Sequence, residues 1–260
     1  MTPIYTSTKK IDDIEMYFEI YASGELAKTF EKDFVSGEFV SNNDKVVVML
    51  HGNGECTQIF SDNVSSLCAE NYVILIDSRG HGKTSAGDSE FTIDLMAEDL
   101  SKLCDELNIG KYKLLGFSDG GNIAITYAVR HPERLSHLVV AGANLNPQGM
   151  KFFTKLAISI KYFFAKLSKD KSEKHRIKTE LLSLMINYPH ISSRLLGNVE
   201  CSSLVLEGKR DVIKHKHTQL IAKSMKNSKL VTVPNSGHNI FKDNTDFVNK
   251  IISDFFTDKF

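Results

Sequence analysis

Six short apolar runs constrain this chain more than any other feature. They are KVVVML (45–50), YVILID (72–77), YKLLGF (112–117), LSHLVVAG (135–142), SSLVLEG (202–208) and KLVTVP (229–234). Their apolar character is continuous rather than alternating, which is the pattern of strands buried on both faces. Stretches of helical period lie between them. In TIDLMAEDLSKLCDEL (92–107) apolar residues fall at 93, 95, 96, 100, 103, 104 and 107, and Asn108 and Gly110 follow. GGNIAITYAVRHPERL (120–135) opens on glycine and is stopped by Pro132, and DFVNKIISDFF (246–256) reads as a closing amphipathic helix. Strands alternating with helices imply βαβ crossovers. The expected class is α/β, with a mostly parallel central sheet and helices on both faces. IDDIEMYFEIYASGE supplies antiparallel edge strands, and residues 24–44 read as an irregular or hairpin segment.

The alternation breaks once. After VVAGANLNPQG (139–149) come about fifty residues of helical character without a strand. A helical insertion between two sheet strands reads as a small cap placed after the sixth strand. The expected division is an α/β core over 1–143 and 197–260 and a helical cap over 144–196. Within the cap, residues 151–178 hold nine Lys/Arg against two Asp/Glu, a net +7, together with Phe152, Phe153, Tyr162, Phe163 and Phe164.

Composition narrows the function classes. The chain has 260 residues, 42% of them hydrophobic, enough for one large α/β domain with a full core. Lys+Arg and Asp+Glu both number 32, so there is no basic excess of the kind nucleic-acid binding needs. Cys56, Cys68, Cys104 and Cys201 form no CxxC pair and read as buried thiols in a reducing compartment. The first residues lack a basic-then-apolar leader, and no apolar run approaches the roughly 18 residues that span a bilayer. The expectation is a soluble, cytoplasmic protein.

LLGFSDGGNIAI (114–125) then asks why one serine is bracketed by glycines between two buried segments. Gly116-Phe117-Ser118-Asp119-Gly120 fits G-x-S-x-G, with a strand before it and a helix after it. A sharp strand-to-helix turn brings its flanks close together, and Gly116 and Gly120 remove the Cβ atoms that would collide; Gly121 adds a second downstream glycine. Such a serine needs a base and an acid that orients the base. VVAGANL ends in Asn144 and offers no acid. LVLEGKRDVI ends in Asp211, with Glu207 the weaker choice because it lies inside the strand's apolar run. VTVPNSGHNIF places His238 just after the last strand. Ser118, Asp211 and His238 therefore stand in the order Ser…Asp…His. The loop His51-Gly52-Asn53-Gly54 follows an earlier strand, and the backbone N–H groups of Asn53 and Asp119 are the expected oxyanion donors. Gly52 lets that loop approach. His51 precedes the nucleophile and is assigned a structural, hydrogen-bonding role.

Together HGNGE, DSRGHGKT (77–84), GFSDGG, GKRD and SGH resemble the α/β-hydrolase fold superfamily, in the group with a small helical cap, over roughly residues 45–250. The resemblance implies hydrolysis through an acyl-enzyme: Ser118 attacks a carbonyl, His238 relays the proton and Asp211 holds the imidazolium. It implies no metal or cofactor, and a structural loop for Arg79 and His81. Where relatives often carry proline after the HG pair this chain has Asn53-Gly54, and it has no tryptophan.

The expected partner is a small-molecule acyl substrate, apolar and neutral or anionic, because the cap is aromatic and positive. Cap aromatics packed on the core with lysines in solvent are preferred to a second reading, in which residues 150–167 rest on an anionic membrane surface. His215 and His217 are treated as surface residues. The leading expectation is a serine hydrolase cleaving a carboxylic ester or related acyl bond, and carbon–carbon bond or thioester hydrolysis are the nearest enzymatic variants. A small-molecule receptor built on the same scaffold is the rival from another class, and turnover separates it from an enzyme.

Overall fold

Val46, Val48 and Leu50 belong to one buried cluster, and Val47 and Met49 to another, so strand β3 (Val46–Leu50) carries core on both faces. This is why its sequence is apolar throughout. The structure is a computed structural model that describes residues 1–36 and 45–260. The other strands are β1 (Tyr5–Ile11), β2 (Ile14–Tyr21), β4 (Tyr72–Ile76), β5 (Tyr112–Phe117), β6 (Leu135–Ala141), β7 (Ser202–Gly208) and β8 (Ser228–Val233). All eight form one sheet in the order β1-β2-β4-β3-β5-β6-β7-β8. β1 and β2 are an antiparallel edge hairpin and β2 meets β4 antiparallel; every other pairing is parallel. The order reverses between β3 and β5, the kind of switch point where open α/β sheets place their sites.

Helices α2 (Ile93–Glu106) and α3 (Asp119–Arg130) cover one face of the sheet, and α8 (Thr245–Phe256) covers the other through Val248, Ile252, Phe255 and Phe256. Thr92 caps α2, its hydroxyl accepting from the Leu95 N–H at 3.0 Å.

Residues 24–36 correct the expectation of an irregular or hairpin segment. They form helix α1 (Gly24–Ser36), because Leu26, Ala27 and Phe30 lie on one helical face and pack on the core beside Tyr5 and Tyr72. The remainder of that expectation, residues 37–44, lies outside the described residues.

Between β6 and β7 come α4 (Phe152–Leu167), α5 (Glu173–Asn187) and a 3-10 helix at Ser193–Asn198. Their aromatics overturn the preferred packing expectation. Phe152, Phe153, Phe163 and Phe164 are 59–81% exposed, and Tyr162 is the partly buried one. The inward face of α4 is taken by smaller residues, including the buried Ala165, which leaves the phenylalanines pointing away from the body. Helix α6 (His215–Ser224) follows β7, and the one-turn α7 (Ile240–Asp243) precedes α8. Among the described residues no helix is long and apolar enough to cross a membrane.

Candidate active site

Strand β5 ends at Phe117 and α3 begins at Asp119, so Ser118 alone makes the turn. Its φ of 54° and ψ of −118° are a strained backbone for a residue with a side chain. The turn is held by close backbone approach. A Cβ on Gly116 would come within 2.1 Å of the Gly120 carbonyl oxygen, and one on Gly120 within 2.3 Å of the Leu50 carbonyl oxygen. Gly121 lies against Ala143, and Gly52 faces Ser118 Cβ at 3.0 Å from where its own Cβ would stand.

His238 lies in the loop after β8, with its Nε2 2.9 Å from Ser118 Oγ. Its Nδ1 donates to Asp211 Oδ1 at 2.7 Å. Because a carboxylate only accepts, this bond leaves Nε2 with the lone pair that receives the serine proton. Asp211 is buried, and its oxygens also accept from the backbone N–H of Ile213 (3.0 Å) and Gly208 (3.3 Å). The alternative acid Glu207 is engaged elsewhere: its Oε1 accepts from His215 Nδ1 at 2.5 Å and from the Thr232 hydroxyl at 2.9 Å. His215 is exposed. His217 corrects its reading as a surface residue, for its half-buried ring accepts the Leu145 N–H at 2.9 Å and burial lowers its pKa.

The loop after β3 closes the site. Asn53 Nδ2 donates to Asp119 Oδ2 (2.9 Å) and to the Leu181 carbonyl (3.0 Å). Asp119 Oδ1 accepts from Asn122 Nδ2 at 3.1 Å. Burial raises the Asp119 pKa, and the two amide donors oppose that rise. The backbone N–H groups of Asn53 and Asp119 have no acceptor among the described residues, and both residues line the same cavity as Ser118 and His238.

Two buried histidines shape this loop. His51 Nδ1 donates to the Gly52 carbonyl (2.8 Å) while Nε2 accepts the Ser78 N–H (3.0 Å). His81 Nδ1 donates to the Arg79 carbonyl (2.9 Å) while Nε2 accepts the Gly54 N–H (3.0 Å). Both rings are therefore neutral, and burial pushes each pKa down to about 4. Arg79 is buried and forks onto Asp99 at 2.7 and 2.8 Å.

Sequence reasoning missed several supports. Gly142 has φ +61°, and a Cβ there would stand 2.8 Å from His238 Cε1. Gly208 would drive a Cβ to 1.7 Å from the Gly237 carbonyl oxygen, so the loops bearing Asp211 and His238 touch at this glycine. Phe117 packs on the His238 ring at 5.1 Å between centroids. Asn122 accepts the Asn144 N–H at 2.8 Å; its signal was a lone amide in the apolar run GGNIAITYAV.

The cavity at Ser118 has a volume of about 220 Å³, with Met150, Thr154, Ile158, Met185 and Tyr188 on its cap side. A second cavity of about 840 Å³ lies between α4 and α5 and also reaches Asn53. Among the described residues no three His, Cys, Asp or Glu side chains gather as metal ligands.

A sequence model described as the alpha/beta hydrolase fold matches residues 45–183. A 2-hydroxy-6-oxononadienedioate/2-hydroxy-6-oxononatrienedioate hydrolase of Escherichia coli (strain K12) is 38% identical over 118 residues. That match covers 44% of this chain and 40% of the relative, so it spans less than half of either. Among solved structures, a thermophilic esterase from Thermogutta terrifontis superposes with a TM-score of 0.72 at 22% identity, covering 98% of both chains. An enol-lactonase from Burkholderia xenovorans LB400 superposes with a TM-score of 0.76 at 16% identity, covering 96% of this chain and 99% of that one. At these identities the likeness to the two structures is one of fold.

Proposed function

This chain belongs to the alpha/beta hydrolase fold family, and we propose that within it the chain is a serine hydrolase cleaving a carboxylic ester through an acyl-enzyme. The observation that carries the reading is the line from Asp211 through His238 to Ser118, at 2.7 and 2.9 Å. Ser118 Oγ attacks the acyl carbon while His238 Nε2 takes its proton. Asp211 keeps the imidazole in the required tautomer and balances its positive charge. The N–H groups of Asn53 and Asp119 receive the oxyanion. The leaving alcohol takes the proton back from His238, and water, deprotonated by the same ring, releases the acid.

The inner cavity supports a small, uncharged acyl group. Beside Ser118, Asp119 and His238 it is lined by methionine, isoleucine, valine, threonine, tyrosine and asparagine, with no lysine or arginine among the described residues. At about 220 Å³ it falls below the range of about 300–1,000 Å³ typical of drug-sized ligands. The larger part of the ester then lies in the 840 Å³ cavity between α4 and α5.

A second reading, hydrolysis of a carbon–carbon bond, is favoured by the likeness to the Escherichia coli relative. The lining at Ser118 gives it no support, since among the described residues no lysine or arginine lines the inner cavity to hold a carboxylate beside the nucleophile, and the lysines Lys161, Lys174 and Lys178 lie in the outer cavity. Turnover of p-nitrophenyl acetate and butyrate, set beside a 2-hydroxy-6-oxodienedioate, decides between them. Ester cleavage that disappears in Ser118→Ala is the expected result. Turnover of the dienedioate alone transfers the assignment to carbon–carbon hydrolysis. Binding without turnover of either class transfers it to a receptor.

A further inference from the structure

Helix α4 has two apolar faces. One contributes Thr154 and Ile158 to the cavity at Ser118 and buries Ala165. The other carries Phe152, Phe153, Leu156, Ile160, Phe163, Phe164 and Leu167, all 44–81% exposed. Their spacing of three and four residues aligns them in one stripe along the helix, about 24 Å long at 1.5 Å per residue. The four phenylalanines alone expose on the order of 500 Å², at about 150–250 Å² per aromatic side chain. That already matches the largest apolar patch of an ordinary monomer, and such patches mark interaction surfaces.

We propose that this stripe docks the protein on an anionic lipid surface. The charge around it selects that occupant. Lys155 and Lys166 lie along one edge of the stripe and Lys161 along the other, and residues 151–178 carry a net +7 in a chain whose total is zero. Lysine stems can lie along the apolar surface while their heads meet lipid phosphates, the arrangement of an interfacial helix. A second copy is a poorer occupant, because two such helices paired across a twofold axis would bring like charges together. With 16 residues and flanking lysines, α4 lies on a bilayer rather than crossing it.

Docking places the site usefully. Ile160 and Phe164 belong both to the stripe and to the wall of the 840 Å³ cavity, which reaches Asn53 and Gly54 and has Lys161, Lys174 and Lys178 on its lining. On a membrane its mouth opens at the lipid surface. An amphiphilic ester with an apolar chain and an anionic group fits that lining. This delivery role rests on the hydrolase reading; the docking does not.

The test is flotation of the full chain with vesicles of equal phosphatidylglycerol and phosphatidylcholine, and with phosphatidylcholine alone. The comparison variant is the double substitution Phe153→Ser and Phe163→Ser, exposed positions that line neither cavity. The wild type is expected to float with the anionic vesicles, and at least about tenfold less with neutral ones or when salt rises from about 0.1 M to 1 M. The variant should lose binding by at least about tenfold with its thermal melt and its turnover of p-nitrophenyl acetate unchanged. Failure of the wild type to bind anionic vesicles, or equal binding by the variant, overturns the proposal. A dimer seen by sedimentation without lipid and dissolved by the same substitutions assigns the stripe to a second copy and overturns it too. Vesicle binding is read without turnover. Vesicle binding without ester cleavage therefore sinks the ester reading and leaves docking standing.

Discussion

The side-chain amide of Asn53 donates to the Asp119 carboxylate across 2.9 Å, tying the loop after β3 to the first turn of α3. These are the two residues whose backbone N–H groups are proposed to receive the oxyanion. The bridge thus fixes the spacing between the donors through their own side chains.

Asn53→Ala keeps the backbone donor and removes the bridge. The expected loss in kcat is about tenfold, smaller than the 10²–10³ of deleting a donor outright, with KM little changed. Steady-state kinetics on a p-nitrophenyl ester measures it. An unchanged kcat would show that the bridge does not position the donors.

Asp211 and Glu207 are both buried at the end of β7, but only Asp211 faces His238. Asp211→Asn should lower kcat by roughly 10⁴, because an amide can donate to Nδ1 and impose the wrong tautomer, and it carries no charge to balance the imidazolium. Glu207→Gln should cost far less, since Glu207 serves His215 and Thr232. The reverse ranking would reassign the acid.

Gly208→Ala places a methyl group 1.7 Å from the Gly237 carbonyl oxygen, whereas Gly197→Ala meets nothing among the described residues within 4 Å. The first should lower stability by about 1–3 kcal/mol and displace the His238 loop, reducing turnover as well. The second should be near neutral. Urea titration and turnover of the pair check both statements.

His51 and His81 are held neutral, with pKa values of about 4 against 6.5 for a free ring. Between pH 6.5 and 4 the unfolded chain takes up the protons first, so falling pH favours unfolding. Their contribution is complete above pH 6.5 and is lost as pH falls towards 4, by at most about 1.4 kcal/mol per pH unit for each ring. Denaturant unfolding at pH 7, 6 and 5 should show that slope, and His81→Gln should flatten it by about one proton. An equal slope in the variant would show that His81 does not contribute to it.

The central parallel strands β3, β4 and β5 were legible because each is buried on both faces, which leaves no room for polar alternation, whereas the edge strand β8 is buried only at Val233 and its continuous apolar reading was too strong. The elbow was legible because its glycines answer a local steric problem. Helix α1 was not, since Leu26 and Phe30 find their partners in distant segments at Tyr5 and Tyr72. The exposed stripe of α4 was misread because apolar content records no direction, and this helix has a second apolar face that roofs the site. His217 and Gly142 act through contacts more than 70 residues away in the chain, which no local pattern records.

His238 and the elbow are proposed to make Ser118 a nucleophile. Intact-mass analysis after treatment with a fluorophosphonate probe tests it most directly, with Ser118→Ala as the control. A single stoichiometric adduct is expected on the wild type and none on the variant. A folded wild type that stays unlabelled, or a variant labelled equally well, would contradict it.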